Sequence, residues 1–135
     1  MKRILRWWTL SVLWSALAAV PAVAGHGEDW TVLTLKASYV KWLLDGGQTL
    51  VFIDLRPIEQ YQKGRLPGAR SFPLTELRSR FQRIPKTGLV VLYCACPSQE
   101  IEAAYLFLRR EGYRNIAVMD EGFPVWVKKE YPVER

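Results

Sequence analysis

Two continuous apolar runs constrain the fold of this chain more than any other feature. Residues 50–53 read Leu-Val-Phe-Ile and lead into Asp54, and residues 89–93 read Leu-Val-Val-Leu-Tyr and lead into Cys94. Uninterrupted apolar runs of this length are typical of strands that are covered on both faces, as in a parallel sheet. Helical patterns alternate with these runs. The sequence therefore predicts an α/β fold with a mainly parallel central sheet flanked by helices.

The second run ends in a cysteine that precedes a helix. From Ile101 onward, apolar residues recur at i, i+3, i+4 and i+7, which predicts a core-facing helix that begins near Glu100. A thiol between a strand end and a helix N-terminus lies where the helix dipole favours an anion. The pKa of such a thiol is lowered, and the thiolate is its reactive form. Cys94 is therefore the candidate nucleophile, and residues 94–99 are the predicted loop.

The chain has two cysteines, Cys94 and Cys96, with one residue between them. They are too close in sequence to link separate elements, and a disulfide across a single residue is expected to be strained. A chemical role is therefore favoured over a structural one. Zinc binding is not expected, because the only histidine is His26 and there is no second cysteine pair. Neither a metal nor a cofactor is predicted.

The first residues have the three-part layout of a secretory signal peptide. Basic residues lie within residues 2–6, an apolar run covers residues 7–20, and small residues occupy positions 22–24. We expect cleavage after Ala24, export and a periplasmic location. The alternative is an uncleaved membrane anchor, although the run is short for a span of about 20 residues.

These boundaries divide the chain into a signal peptide at residues 1–24 and one domain at residues 25–135. Removal of the signal peptide takes away three basic residues and no acidic ones, which lowers the formal net charge from +6 to +3. A basic cluster at residues 78–86 contains a single aromatic residue, Phe81, and is interpreted as a solvated helix face. No nucleic-acid partner is predicted, and a membrane contact is expected only through an uncleaved signal peptide.

Four segments, taken together and in order, resemble a rhodanese homology domain across residues 30–133. Residues 53–56 (Ile-Asp-Leu-Arg) resemble the family's strand-end Asp-x-Arg segment, and residues 64–69 (Gly-Arg-Leu-Pro-Gly-Ala) resemble its Gly-His-Ile-Pro-Gly-Ala segment. Residues 93–104 resemble the active-site loop with its helix, and residues 122–132 resemble the terminal signature. The resemblance implies a rhodanese-like three-layer fold.

The resemblance also implies an activity, which is sulfur transfer through a cysteine persulfide on Cys94. The anion cradle would be the active-site loop that follows it, formed by Ala95, Cys96, Pro97, Ser98 and Gln99. Backbone N–H groups in such a loop can bind an anion without the bulk of side-chain donors. The implied partners are a sulfur donor, such as thiosulfate or a persulfide, and a thiol or cyanide-like acceptor. The chain is thus predicted to be an exported sulfurtransferase or persulfide carrier.

Several positions depart from the patterns of the family and of its relatives. Related phosphatases have a longer loop with an arginine at the position of Glu100, whose carboxylate would repel a phosphate dianion. Phosphatase activity is therefore not expected. The loop has no cation, and Pro97 removes one N–H donor. Arg56 and Arg65 are the nearest candidates for attracting an anion. For Asp54 and Arg56, an ion pair or loop brace near the strand ends is favoured over direct contact with the substrate.

The second cysteine leaves alternatives open. Cys96 could attack a persulfide on Cys94 and release sulfide, or it could protect Cys94 from overoxidation. Alternatively, it is a small loop residue without a chemical role. A thiol–disulfide redox protein is one alternative function, although the Cys-x-x-Cys spacing usual for such proteins is absent. A non-catalytic rhodanese-like binding module is the other.

Overall fold

The structure is a computed structural model that describes residues 31–135. Its strands are β1 (Thr34–Leu35), β2 (Leu50–Asp54), β3 (Arg70–Ser71), β4 (Leu89–Tyr93) and β5 (Ile116–Met119). Its helices are α1 (Ala37–Asp45), α2 (Ile58–Lys63), α3 (Leu74–Arg80), which continues into a 3₁₀ turn at Phe81–Arg83, α4 (Ser98–Arg110) and α5 (Gly122–Lys128). The predicted signal peptide lies outside the described residues. Within them, no helix is both long and apolar enough to cross a membrane.

The five strands form one sheet in the order β1-β5-β4-β2-β3, and every neighbouring pair is parallel. The two apolar runs are its central neighbours, β2 and β4. Their register runs from Leu50 opposite Leu89 to Asp54 opposite Tyr93. The predicted parallel sheet is confirmed. Asp54 and Tyr93, the last residues of β2 and β4, lie side by side at the same edge of the sheet.

Helices cover both faces of the sheet. Val90 and Leu92 of β4 belong to the apolar cluster that contains the buried residues of α3 and α4. Val91 and Tyr93 alternate with them and belong to the cluster that contains the buried residues of α1 and α5. Because successive side chains of a strand point to opposite faces, a continuous apolar run serves both layers. The predicted three-layer arrangement is confirmed.

Helix α4 begins at Ser98, two residues before the predicted start at Glu100. Pro97 precedes it with φ of −55°. Proline is compatible with a helix start because its ring holds φ near the helical value and the missing N–H has no partner there. Ser98 and Gln99, which the sequence pattern places in the loop, therefore lie in the first turn of α4. The connection after Cys94 is reduced to residues 95–97.

Candidate active site

Cys94 is the first residue after β4 and lies at the carboxyl edge of the sheet. Its exposed fraction is 5 %. Its carbonyl oxygen accepts a hydrogen bond from the N–H of Phe123, with an N to O distance of 3.0 Å. The start of the candidate loop is thereby tied to the start of α5, which follows the neighbouring strand β5.

Cys94 and Cys96 are joined by a disulfide. The sequence spacing argues against this bond, but the connection turns so that the two Cα atoms lie 5.4 Å apart, which is within the usual range for disulfides. The bridge lies inside one loop and links no two elements of the fold. It occupies the thiol that the sequence identifies as the nucleophile, so this is the oxidised form of the site.

The predicted loop residues differ in exposure. Ala95 and Pro97 are exposed, whereas Cys96 is half-buried and packs against the apolar cluster beneath α4. Ser98 and Gln99 are exposed in the first turn of the helix. No side chain in residues 31–135 caps this helix start. Backbone N–H groups at an uncapped helix start attract anions.

Gly122 makes a close approach to the loop that the sequence pattern did not identify. Its φ is +63°, and a Cβ atom there would overlap the carbonyl oxygen of Cys94. Both the backbone conformation and the contact therefore require glycine. The available signal was a glycine just after the strand-end Asp120, because a glycine at such a point indicates close approach of another backbone.

Asp54 and Arg56 form a buried ion pair, with exposed fractions of 0 % and 3 %. The Nη2 and Nε atoms of Arg56 donate to the carboxylate of Asp54 at 2.6 and 2.9 Å. The Nη2 atom also donates to the carbonyl oxygen of Gly64 at 2.7 Å. The pair therefore braces β2 against the segment that follows α2. A contact between Arg56 and substrate stays a prediction.

The Tyr93 hydroxyl completes this network from the adjacent strand. It donates to Oδ2 of Asp54 at 2.7 Å and accepts a hydrogen bond from the N–H of Leu66 at 3.2 Å. Burial raises the pKa of the Tyr93 phenol well above its usual value, and the charge of Asp54 raises it further. The phenol is therefore a proton donor that holds the end of β4 to the end of β2.

Arg65 directly follows Gly64 in the same segment and has partners of its own. Its backbone pairs with that of Glu134, its Nε lies 3.6 Å from Oε2 of Glu134, and its guanidinium lies 4.9 Å from the centre of the Tyr61 ring. These contacts fasten the last residues of the chain to the 64–69 segment. Attraction of an anion by Arg65 stays a prediction.

Two surface grooves flank this region. One has a volume of about 330 Å³ between α3 and α4, and Glu100 lines it together with Ala103 and Phe107. The other has a volume of about 310 Å³ and has a cationic lining that includes Arg56, Lys63 and Arg135. Within residues 31–135, no group of three histidine, cysteine or acidic side chains is arranged to hold a metal ion.

The sequence profile of the rhodanese-like domain matches residues 36–129. The chain belongs to the rhodanese-like domain family. The rhodanese-like domain thus covers every element of the described structure from α1 to α5, together with the Cys94 loop and the Asp54–Arg56 pair.

Individual relatives differ in length and name. The chain is 29 % identical over 116 residues to the HTH-type transcriptional regulator Rv0324 of Mycobacterium tuberculosis, covering 86 % of this chain and 49 % of that protein. It is 26 % identical over 129 residues to rhodanese-like domain-containing protein 17 of Arabidopsis thaliana, covering 85 % and 81 %. The chain thus spans about half the length of the mycobacterial relative, whose name describes a transcriptional regulator.

A solved structure named as a sulfurtransferase has the same fold. The thiosulfate sulfurtransferase of Pseudomonas aeruginosa superposes with a TM-score of 0.63 at 27 % identity, over 77 % of this chain and 20 % of that one. Sulfur transfer is therefore supported at the level of the family.

The contact between Gly122 and Cys94 predicts that Gly122→Ala displaces the loop that contains Cys94. The new Cβ would overlap the carbonyl oxygen of Cys94, so we expect the alkylation rate of the reduced Cys94 thiol to change by about tenfold or more. Gly47→Ala is the matched control, because Gly47 has φ of +73° but a Cβ there would meet no other atom within 4 Å. Equal alkylation rates in both variants would contradict a specific role for Gly122.

Tyr93→Phe is predicted to lower the free energy of unfolding at neutral pH by about 1–3 kcal/mol, because a buried carboxylate loses a hydrogen bond. The phenol has a raised pKa in the folded state and an ordinary value of about 10 in the unfolded chain. Above about pH 10 the phenol loses its proton in the unfolded state but not in the folded state. The contribution of Tyr93 to the free energy of unfolding therefore falls by about 1.4 kcal/mol per pH unit. Urea unfolding of both proteins should show the stability difference shrinking above that pH. Parallel profiles would exclude this coupling.

Proposed function

We propose that the protein moves sulfane sulfur as a persulfide on Cys94, acting as a sulfurtransferase or persulfide carrier. The observation that carries the proposal is the placement of Cys94 between the end of β4 and the uncapped N-terminus of α4, within a rhodanese-like domain. A helix N-terminus favours the thiolate over the thiol and stabilises the anionic persulfide that replaces it.

Thiosulfate illustrates the proposed chemistry. The Cys94 thiolate attacks the outer sulfur of thiosulfate, the sulfur–sulfur bond of the donor breaks, and sulfite leaves with the electron pair. The persulfide on Cys94 then gives its outer sulfur to a thiol or a cyanide-like acceptor, which restores the thiolate. A low-molecular-weight persulfide is an equivalent donor, with a thiolate as the leaving group.

The disulfide sets a condition on this chemistry. Cys94 is bonded to Cys96 in the structure, and only a thiolate is nucleophilic. A thiol reductant must therefore open the bridge before a donor loads the site. Sulfur loading should be absent in the oxidised protein and present after reduction.

Intact-mass spectrometry tests the proposal. We expect the reduced protein to gain the mass of one sulfur atom in samples quenched at short times after addition of thiosulfate or glutathione persulfide, and to lose that added mass after treatment with cyanide. Cys94→Ser should gain none, because its hydroxyl forms no persulfide. The oxidised wild-type protein is the matched control.

A reduced wild-type protein that neither gains a sulfur atom at any time point nor releases sulfide with either donor would overturn the proposal. Such a protein that still exchanges disulfides with a dithiol would instead act as a thiol–disulfide redox protein. This second candidate is favoured by one observation, the Cys94–Cys96 disulfide itself. A protein with neither reactivity would be a binding module built on the rhodanese-like fold.

We further propose that the protein acts after export to the periplasm. The support is the layout of residues 1–24, with basic, apolar and small-residue parts in the order of a signal peptide. Expression of the full chain in a Gram-negative host should give a periplasmic product whose intact mass corresponds to a chain that starts at Gly25. A membrane-bound product that retains residues 1–24 would identify an anchor instead.

A further inference from the structure

We propose that Cys96 resolves the persulfide on Cys94, releasing sulfide and leaving the Cys94–Cys96 disulfide. The inference rests on the proposed function of Cys94 and adds a product and an internal acceptor to it. The protein would then be a sulfide-releasing sulfurtransferase that consumes one dithiol for each sulfur atom it delivers.

The disulfide carries the inference because it shows that the folded loop brings the two side chains into contact. The loop is held at both ends while it does so. The carbonyl oxygen of Cys94 accepts a hydrogen bond from the N–H of Phe123, and Pro97 directly precedes helix α4. A thiol held against its target reacts as if at a very high effective concentration.

Burial favours the internal thiol over an external one. Cys94 is 5 % exposed, and Cys96 is half-buried against the apolar cluster beneath α4. An external acceptor must reach a sulfur that is largely covered, whereas Cys96 already lies beside it. The inner sulfur of the persulfide, which is the Sγ atom of Cys94, is the atom that Cys96 can reach.

The step balances without a further co-reactant. The Cys96 thiol loses its proton, its sulfur attacks Sγ of Cys94, and the sulfur–sulfur bond of the persulfide breaks. The outer sulfur leaves with the electron pair as hydrosulfide. Two cysteine sulfurs are oxidised to the disulfide, and the sulfane sulfur is reduced to sulfide by the same two electrons.

Leaving-group acidity is compatible with this direction of cleavage. A thiol of lower pKa leaves faster in thiol–disulfide exchange, and hydrogen sulfide is more acidic than an alkyl thiol. An external dithiol then reduces the Cys94–Cys96 bridge and is itself oxidised to a disulfide, which returns the site to its loadable form.

A single-turnover experiment tests the step. Reduced wild-type protein and Cys96→Ser are treated anaerobically with glutathione persulfide, freed of small molecules by rapid desalting, and left without added thiol. Sulfide is then quantified, and intact mass is recorded over time. Cys96→Ala is a second variant that guards against an effect of the serine hydroxyl, and Cys94→Ser reports any loading at Cys96 itself.

We expect the wild-type protein to release one equivalent of sulfide as its mass falls to that of the disulfide form, two hydrogens below the reduced protein. Both Cys96 variants should keep the added sulfur at least about tenfold longer, since the nearby thiol is gone. Persulfides of equal lifetime in the wild-type protein and both variants would overturn the inference while leaving the persulfide on Cys94 intact. So would peptide mapping that finds the sulfane sulfur on Cys96. Failure of the Cys96 variants to load would remove the proposed function and this step together.

Discussion

The carboxyl edge of the sheet depends on one buried carboxylate, that of Asp54. It accepts hydrogen bonds from Arg56 on its own strand end and from the Tyr93 hydroxyl on the neighbouring strand. Arg56 extends the network to Gly64, and Tyr93 extends it to Leu66. A charge in such a place is tolerated only with its partners, because removal of one member of a buried ion pair costs about 3–5 kcal/mol. The network therefore joins β2, β4 and the 64–69 segment as one unit.

This unit determines where the cysteine loop starts, and a backbone contact determines how it continues. Tyr93 is held to Asp54, so the next residue, Cys94, leaves the sheet from a fixed position. Gly122 then admits the Cys94 carbonyl at a distance that no side chain would allow, and Phe123 donates to it. Cys94, the candidate nucleophile, is thus positioned by the ends of β2 and β4 and by the start of α5. These three elements lie far apart in the sequence.

The same geometry shows that the bridge between two cysteines separated by one residue contributes little to stability. A bridge inside the single connection of residues 94–97 closes a very small loop and so adds little constraint to the unfolded chain. It does control whether Cys94 is a thiolate. Under the proposed function, the bridge would therefore link sulfur transfer by Cys94 to the thiol–disulfide state of the surroundings.

The sequence by itself determined the parallel α/β fold and the position of Cys94, because both follow from local patterns. Continuous apolar runs indicate doubly covered strands, and a helical stripe after a strand-end cysteine indicates the loop between them. The Asp54–Arg56 ion pair also agrees with the sequence interpretation, whereas tertiary structure alone decided three other features of the site. The Tyr93–Asp54 hydrogen bond joins residues 39 positions apart, and the Gly122 contact depends on the adjacency of β4 and β5. The Cys94–Cys96 bond depends on the turn between β4 and α4, which brings the two Cα atoms within 5.4 Å and which no hydrophobic period encodes.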